Sequence, residues 1–451
     1  MYTLRCQILS VLEVSMCNDI ALVCMGLVEM LKSLIFSADF MERHRCSEKD
    51  FTRQRCLTFS VVVIFLLNLV KRALQDELDE FFKLLNGEEV ARRIVTKSAF
   101  TQARKKLKYT AFVELNRAQV NFFYDHFEPR RWCGFRLLAV DGSTSELPRT
   151  PEIREYFGVW QPNQGEPCPL ARVSQIFDVL NEITLEAIIG PKGIGERALA
   201  AQHFDILEAD DLVLLDRGYP AFWLFVLILS YQAHFCARMP LGVWDVVDQF
   251  VATGLPEQIV TLHPSYESVK ECRSRRLSTD PLTVRLIRVE LNTGEVEVLV
   301  TSLLDTVAYP TAVFKDLYHH RWPVEENYKV MKCRIEIENF SGKSVWAVYQ
   351  DFHAKVFTMN LTAILAHPAQ KVVEQESQGK RYTYQINMTN ALSKMKDTIV
   401  LLLQHTNILP ILQHLWQVIT QTIEPIRPGR SYPRKKRVQR RRFAMTYKPI
   451  R

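Results

Sequence analysis

Paired cysteines are missing from this chain. Its 10 cysteines stand as singles from Cys6 to Cys333, and no C-x-x-C occurs. Zinc ribbons and dithiol redox motifs are therefore unsupported, and a reduced, cytosolic setting is expected. An uninterrupted apolar run of the ~18 residues that a membrane span needs is also absent. The longest run, Phe59 to Leu67, contains Ser60 and is followed by Lys71 and Arg72, which predicts a buried helix. Glu13 and Asp19 interrupt the apolar N-terminus and spoil a signal peptide. Only 16 Gly and 20 Pro in 451 residues argue against long disordered stretches. No Ser-His-Asp or Cys-His constellation stands out.

What is present is an ordinary globular composition with an uneven charge. Apolar residues make up 47% and charged residues 24% of a chain long enough for several domains. The formal net charge is +7. After Glu424 the chain carries eight Arg, three Lys and no acid, so this tail alone holds +11 and the rest holds −4, the difference between the two. Tyr432, Phe443 and Tyr447 interleave the basic residues. A tail of this kind suits a polyanion, and it equally suits a solvated appendage.

Residues 1 to 130 read as helical. Asn86-Gly87 is a helix stop, and Ser98 is expected to cap the next helix. There Phe100, Ala103 and Leu107 share one face, while Arg104, Lys105 and Lys106 fall largely off it. A basic helix in a helical domain suits DNA contact; an ordinary amphipathic helix fits as well. From residue 131 short apolar strands take over: Leu137 to Val140, Val173 to Leu180, Ile183 to Ile189, Leu212 to Leu215 and His234 to Arg238, with helices from Glu196 and Ala221 between them. Strands alternating with helices predict a mixed α/β sheet over 131–240. Residues 241–305 interrupt it with a β-rich insertion, in which Val284 to Leu291 and Glu295 to Val300 flank a turn at Asn292-Thr293-Gly294. The core resumes over 306–370, and 371–451 is a helical region ending in the basic tail.

Two carboxylates share one construction. Asp141 follows Leu-Leu-Ala-Val and precedes Gly142; Asp216 follows Leu-Val-Leu-Leu and precedes Arg217-Gly218. An acid at the end of a buried strand is often only the start of a turn. If the two strands are neighbours, however, the acids enter one crevice and repel unless a cation lies between them. A third acid, Glu325, lies in Y-H-H-R-W-P-V-E-E-N-Y-K-V-M-K. Tyr318, Arg321, Glu325 and Lys332 have the spacing Y-x2-R-x3-E-x6-K. Arg321, Glu325, Tyr328 or Lys329, and Lys332 are expected on one helix face, with Glu326 about 100° away. A carboxylate flanked by cations can ligate a hard metal while the cations hold phosphates. A solvated face with helix salt bridges gives the same pattern.

That four-residue box, after two strand-end aspartates in the same order, resembles the DDE transposases of bacterial insertion sequences, the cut-and-paste group marked by Y-R-E-K. The resemblance runs from about residue 95 to the C-terminus. It implies an RNase H-like mixed-sheet core with a β-rich insertion, flanked by N- and C-terminal helical domains. Glu325 lies 109 positions after Asp216, which leaves room for the insertion. It implies that Asp141, Asp216 and Glu325 are catalytic and hold Mg²⁺ or Mn²⁺, as two ions. It implies that Tyr318, Arg321 and Lys332 contact transposon-end DNA, with Lys329 as a weaker candidate. Trp244 is a candidate for holding a displaced base. Arg238 fits a phosphate contact and a surface residue equally; Arg104 and Lys105 come from the basic helix. The implied partners are double-stranded DNA, both transposon ends and target, and a second copy of the chain in the DNA-bound complex, in the bacterial cytoplasm at the nucleoid, with no membrane. An RNase H-like nuclease without strand transfer and an inactive DNA-binding descendant are the competing readings.

Overall fold

A computed structural model describes residues 18–53, 55–161, 166–291, 294–427 and 448. The chain divides into two compact units. One comprises Pro129–Ser145 and Leu170–Lys329; the other comprises Met1–Glu128, Glu146–Pro169 and Val330–Arg451.

The first unit is built on a mixed sheet. The strands of this sheet, in chain order, are β1 (Arg136–Glu146), β2 (Val159–Trp160), β3 (Cys168–Asp178), β4 (Ile183–Pro191), β5 (Asp211–Leu215), β6 (His234–Met239), β7 (Glu257–Leu262), β8 (Leu282–Glu290) and β9 (Val296–Thr301), of which β2 and the start of β3 fall in the span of the other unit. They run in the order β2-β3-β1-β5-β6-β9-β8-β7, with β4 paired to β3. β1, β5 and β6 are mutually parallel, while β3 and β4 form an antiparallel hairpin. The order β4-β3-β1-β5-β6 is that of an RNase H-like core. Central parallel strands are covered on both faces and read as unbroken apolar runs. Leu137 to Val140 and Leu212 to Leu215 do so, each fully buried. The insertion does not stand apart, because β9 pairs antiparallel with β6 and extends the same sheet. β7 and the helices Asp245–Thr253 and Tyr266–Ser274 have no counterpart in the sequence reading. β7 is exposed or half-buried along all but its last residue and so lacks a clear apolar period.

The register of β1 against β5 is pinned at its start. Arg136 lies opposite Asp211, and its Nε and NH2 donate to the two carboxylate oxygens at 2.6 and 2.7 Å. Both side chains are buried, where a bidentate pair is directional as well as strong. A slip of one residue would separate this pair and turn every apolar side chain of β1 to the opposite face. On one side of the sheet, Phe314, Leu317 and Tyr318 of helix Val313–His319 and Val324 of helix Trp322–Cys333 pack on Leu137, Ala139, Leu212 and Leu214.

The second unit is mainly helical. Its axis is Val345–Glu376, a 32-residue helix buried on nearly all sides. The run Phe59–Leu67 is the buried helix expected of it. Gly87 ends helix Leu74–Asn86 with φ of 65°, a left-handed turn that glycine adopts without strain. Thr96, not Ser98, caps the next helix, Lys97–Arg104: its hydroxyl accepts from the Ala99 N–H at 3.2 Å. Arg104 also departs from expectation. Instead of facing DNA it is 4% exposed and donates to Asp351, Gln350 and Ser341. The apolar side of that helix is short, and its last arginine turns inward to meet a buried carboxylate.

The basic tail lies outside the described residues except for Arg427 and Lys448. Lys448 donates to the Phe340 carbonyl at 2.8 Å. Among the described residues no single helix is long and apolar enough to cross a membrane; one bent pair, Asp19–Phe36 with Ala38–His44, meets that test only jointly.

Candidate active site

Parallel pairing places two acids level with each other. Val140 is the partner of Leu215 in the β1/β5 ladder, so Asp141 and Asp216 are the next residues on adjacent strands. Asp141 lies within β1, which runs on to Glu146 instead of turning at Gly142 as expected, whereas Asp216 directly follows the last residue of β5. The Gly142 N–H donates to Asp141 Oδ1 at 2.9 Å, and the Tyr219 N–H donates to the Asp216 carbonyl at 2.9 Å. Burial pushes the Asp141 carboxyl up to about 6; the Gly142 N–H and Arg321 oppose the rise, while Glu325 and Asp216 add to it. A carboxyl desolvated beside two like charges is poised for a cation.

The third acid arrives on a separate helix. The chain breaks between helix Val313–His319 and helix Trp322–Cys333, so Arg321, expected on the Glu325 helix, instead lies just before it. Arg321 sits at the break, and Pro323 falls in the first turn of the second helix, where its missing N–H costs nothing. Arg321 is 4% exposed and its NH2 donates to Glu325 Oε1 at 2.8 Å. Its charge also acts on Asp141 and Asp216. The Tyr318 hydroxyl lies 3.4 Å from Asp216 Oδ1. Glu326 is exposed and paired with Lys329, which separates it from this cluster.

Buried polar ties fix the Glu325 helix on the sheet. The Tyr328 hydroxyl donates to the Asp141 carbonyl at 2.8 Å. Asn327 donates to Gln175 Oε1 of β3 at 2.9 Å and lies 3.2 Å from the Thr184 hydroxyl of β4. Sequence reasoning passed over Asn327, Gln175, Arg172 and Tyr219. The only signal for Tyr219 was its place in the turn directly after Asp216.

The remaining candidates are dispersed. Lys329 is exposed on the Glu325 helix, whereas Lys332, near the end of that helix, belongs to the other unit and is half-buried. Arg238 in β6 pairs with Glu297 at 2.8 Å. Lys105 is exposed just after helix Lys97–Arg104. Trp244 precedes helix Asp245–Thr253 and is half-buried. His319 is exposed and His320 half-buried, and neither joins the acids.

The donor set fits a hard cation in kind: three carboxylates, oxygen only, with one destabilised by the other two. It is not preassembled. Among the described residues no three His, Cys, Asp or Glu stand close enough to hold a metal. Glu325 is instead turned onto Arg321, which supplies the positive charge.

Residues 132–361, half of the chain, match the family described as the transposase DDE domain. The chain belongs to the DDE transposase family. All three acids fall inside the matched stretch. Relatives are consistent with this. The transposase InsG for insertion sequence element IS4 of Escherichia coli (strain K12) is 27% identical over 255 residues, which are 56% of this chain and 57% of that protein. The putative transposase InsZ of the same strain is 25% identical over 153 residues, 33% of this chain and 50% of that protein. The match thus spans about half the length of these curated relatives. A cryo-EM structure of piggyBac transposase in a synaptic complex with hairpin DNA aligns over 90% of this chain and 87% of that one, with a TM-score of 0.44 and 10% identity.

Proposed function

We propose that this DDE-family chain is a transposase that binds insertion-sequence ends, cleaves DNA there and transfers the freed strand to a target. The observation that carries the reading is the β1/β5 register, which sets Asp141 and Asp216 side by side just past the paired stretch, with Arg321 linking them to Glu325. In this reading Asp141, Asp216 and Glu325 hold Mg²⁺ or Mn²⁺, as two ions. Bound there, the metal supplies Lewis acidity and neutralises charge in an in-line displacement at phosphorus. The protein's own contribution is placement. Tyr318 orients Asp216, and Tyr328 ties the Glu325 helix to Asp141. Arg321, which donates to Glu325 in the free protein, would be released to donate to a phosphate oxygen if Glu325 were to serve as a metal ligand. Water is the first nucleophile, and the resulting 3′-OH is the next, so no side chain needs to be covalently modified.

Double-stranded DNA is the partner, and two copies of the chain hold the two ends. Tyr318, Arg321, Lys329, Lys332, Arg238 and Lys105 are assigned to DNA contact. Arg104 is not among them, because its guanidinium is satisfied inside the protein. Residues 1–130 serve DNA binding, 131–240 and 306–370 catalysis, 241–305 is the insertion, and 371–451 is the C-terminal region that carries the basic tail. The setting is the bacterial cytoplasm, at the nucleoid. The experiment is nicking of terminal-repeat DNA with and without divalent metal.

The tail gives a separate expected result. Removing residues 427–451 takes away eleven positive charges. Binding weakens at all DNA sequences alike, and the slope of log K against log salt becomes shallower by about 0.9 for each phosphate that the tail had neutralised. An unchanged slope in a salt titration would make the tail a solvated appendage.

A further inference from the structure

We propose that Arg172 and Tyr219 form a phosphate subsite beside Asp141, taking a non-bridging oxygen of the DNA backbone at or next to the reacting phosphate. The proposal rests on the reading of this site as one that cuts DNA.

Tyr219 is 3% exposed, yet its hydroxyl has no hydrogen-bond partner. A buried hydroxyl left unmade costs about 1–3 kcal/mol, so natural structures rarely keep one without use. Its position is defined from Gly142, the residue after Asp141. A Cβ added to Gly142 would lie 3.3 Å from the Tyr219 hydroxyl and 3.4 Å from Glu196 Cγ. The hydroxyl therefore lies over the backbone beside Asp141. The charges of Asp141, Glu196, Asp216 and Arg172 all act on it.

Arg172, on β3, supplies a second donor. Its NH1 pairs with Glu196 Oε1 at 2.9 Å, which fixes the guanidinium, while its buried Nε has no partner. Arg321 Nε is a third buried donor left open, on the guanidinium that reaches Glu325. A phenol and a guanidinium offer hydrogens, and an arginine offers no acceptor at all. The complement of such a set is an oxygen-rich anion, and the backbone phosphate is the anion this family handles. Glu196 neutralises Arg172 in the free protein. The subsite therefore recognises an oxygen by direction rather than by excess charge.

The test uses duplexes carrying the terminal repeat, each with one methylphosphonate, which removes a charged oxygen from a single phosphate. Binding and nicking are read side by side for the wild type, Tyr219→Phe and Arg172→Gln, with thermal unfolding to check the fold. The wild type should lose about tenfold at one phosphate near the cut, the scale of one hydrogen bond to a charged group. Tyr219→Phe and Arg172→Gln should be about tenfold weaker on unmodified DNA and insensitive to methylphosphonate at that same position. The proposal is overturned if the wild type shows no such position, or if Tyr219→Phe keeps the wild-type interference profile. The hydroxyl would then serve only an internal water. Interference in binding without any cutting by the wild type would overturn the transposase reading and leave the subsite standing.

Discussion

Glu325→Gln should cripple cleavage of end DNA, slowing nicking by about 10²–10³-fold, the scale seen when a single group acting on reacting charge is removed. The substitution keeps the side chain's shape. Its amide oxygen can still accept from Arg321, as Glu325 Oε1 does at 2.8 Å. What disappears is the anionic donor to the metal. End binding should therefore stay within a few fold of wild type in a gel-shift assay. Glu326→Gln is the matched control: that side chain is exposed and paired with Lys329, so its nicking rate should stay near wild type. Equal losses in the two variants would mean that the cluster around Arg321 is not the reaction centre.

Arg104→Ala should destabilise the protein by about 3–5 kcal/mol, because it strands a buried carboxylate. Asp351 is 4% exposed on its side chain and lies 2.8 Å from Arg104 NH2. Ser341 would still donate to it, but no second cation is paired with it among the described residues. Gln350 Oε1 would lose its Arg104 donor as well. Arg104→Met should cost less packing while leaving the same unpaired acid, so the difference between the two variants measures packing alone. Chemical denaturation reads both. A change below about 0.5 kcal/mol, typical of exposed surface positions, would contradict the buried role and return Arg104 to the DNA-facing residues.

The sequence was most legible where burial is complete. Leu137–Val140 and Leu212–Leu215 are unbroken apolar runs because helices and neighbouring strands cover both faces, and such runs are visible without a partner. Their adjacency was not visible. It depends on Arg136 meeting Asp211, residues that look like ordinary surface charges until the strands pair. The Glu325 segment was half legible. Its spacing is regular, but the chain breaks at Arg321 and leaves that residue outside the helix that carries Glu325. Pro323 is the one local mark of that break, and a helical period followed by itself runs straight through it. Arg104 was misread because a helix period tells which side a residue occupies and not whether an acid 247 residues away will pair with it. Tyr219 was passed over because an unpartnered hydroxyl has no signature in composition or spacing.

Metal-dependent cleavage at this site is tested most directly by a nicking assay on terminal-repeat DNA with Mg²⁺, Mn²⁺ or EDTA, comparing wild type with Asp141→Ala. Cutting at the repeat ends that needs the metal and is lost in Asp141→Ala is the predicted result. Metal-independent cutting, or cutting by Asp141→Ala at the wild-type rate, would contradict it.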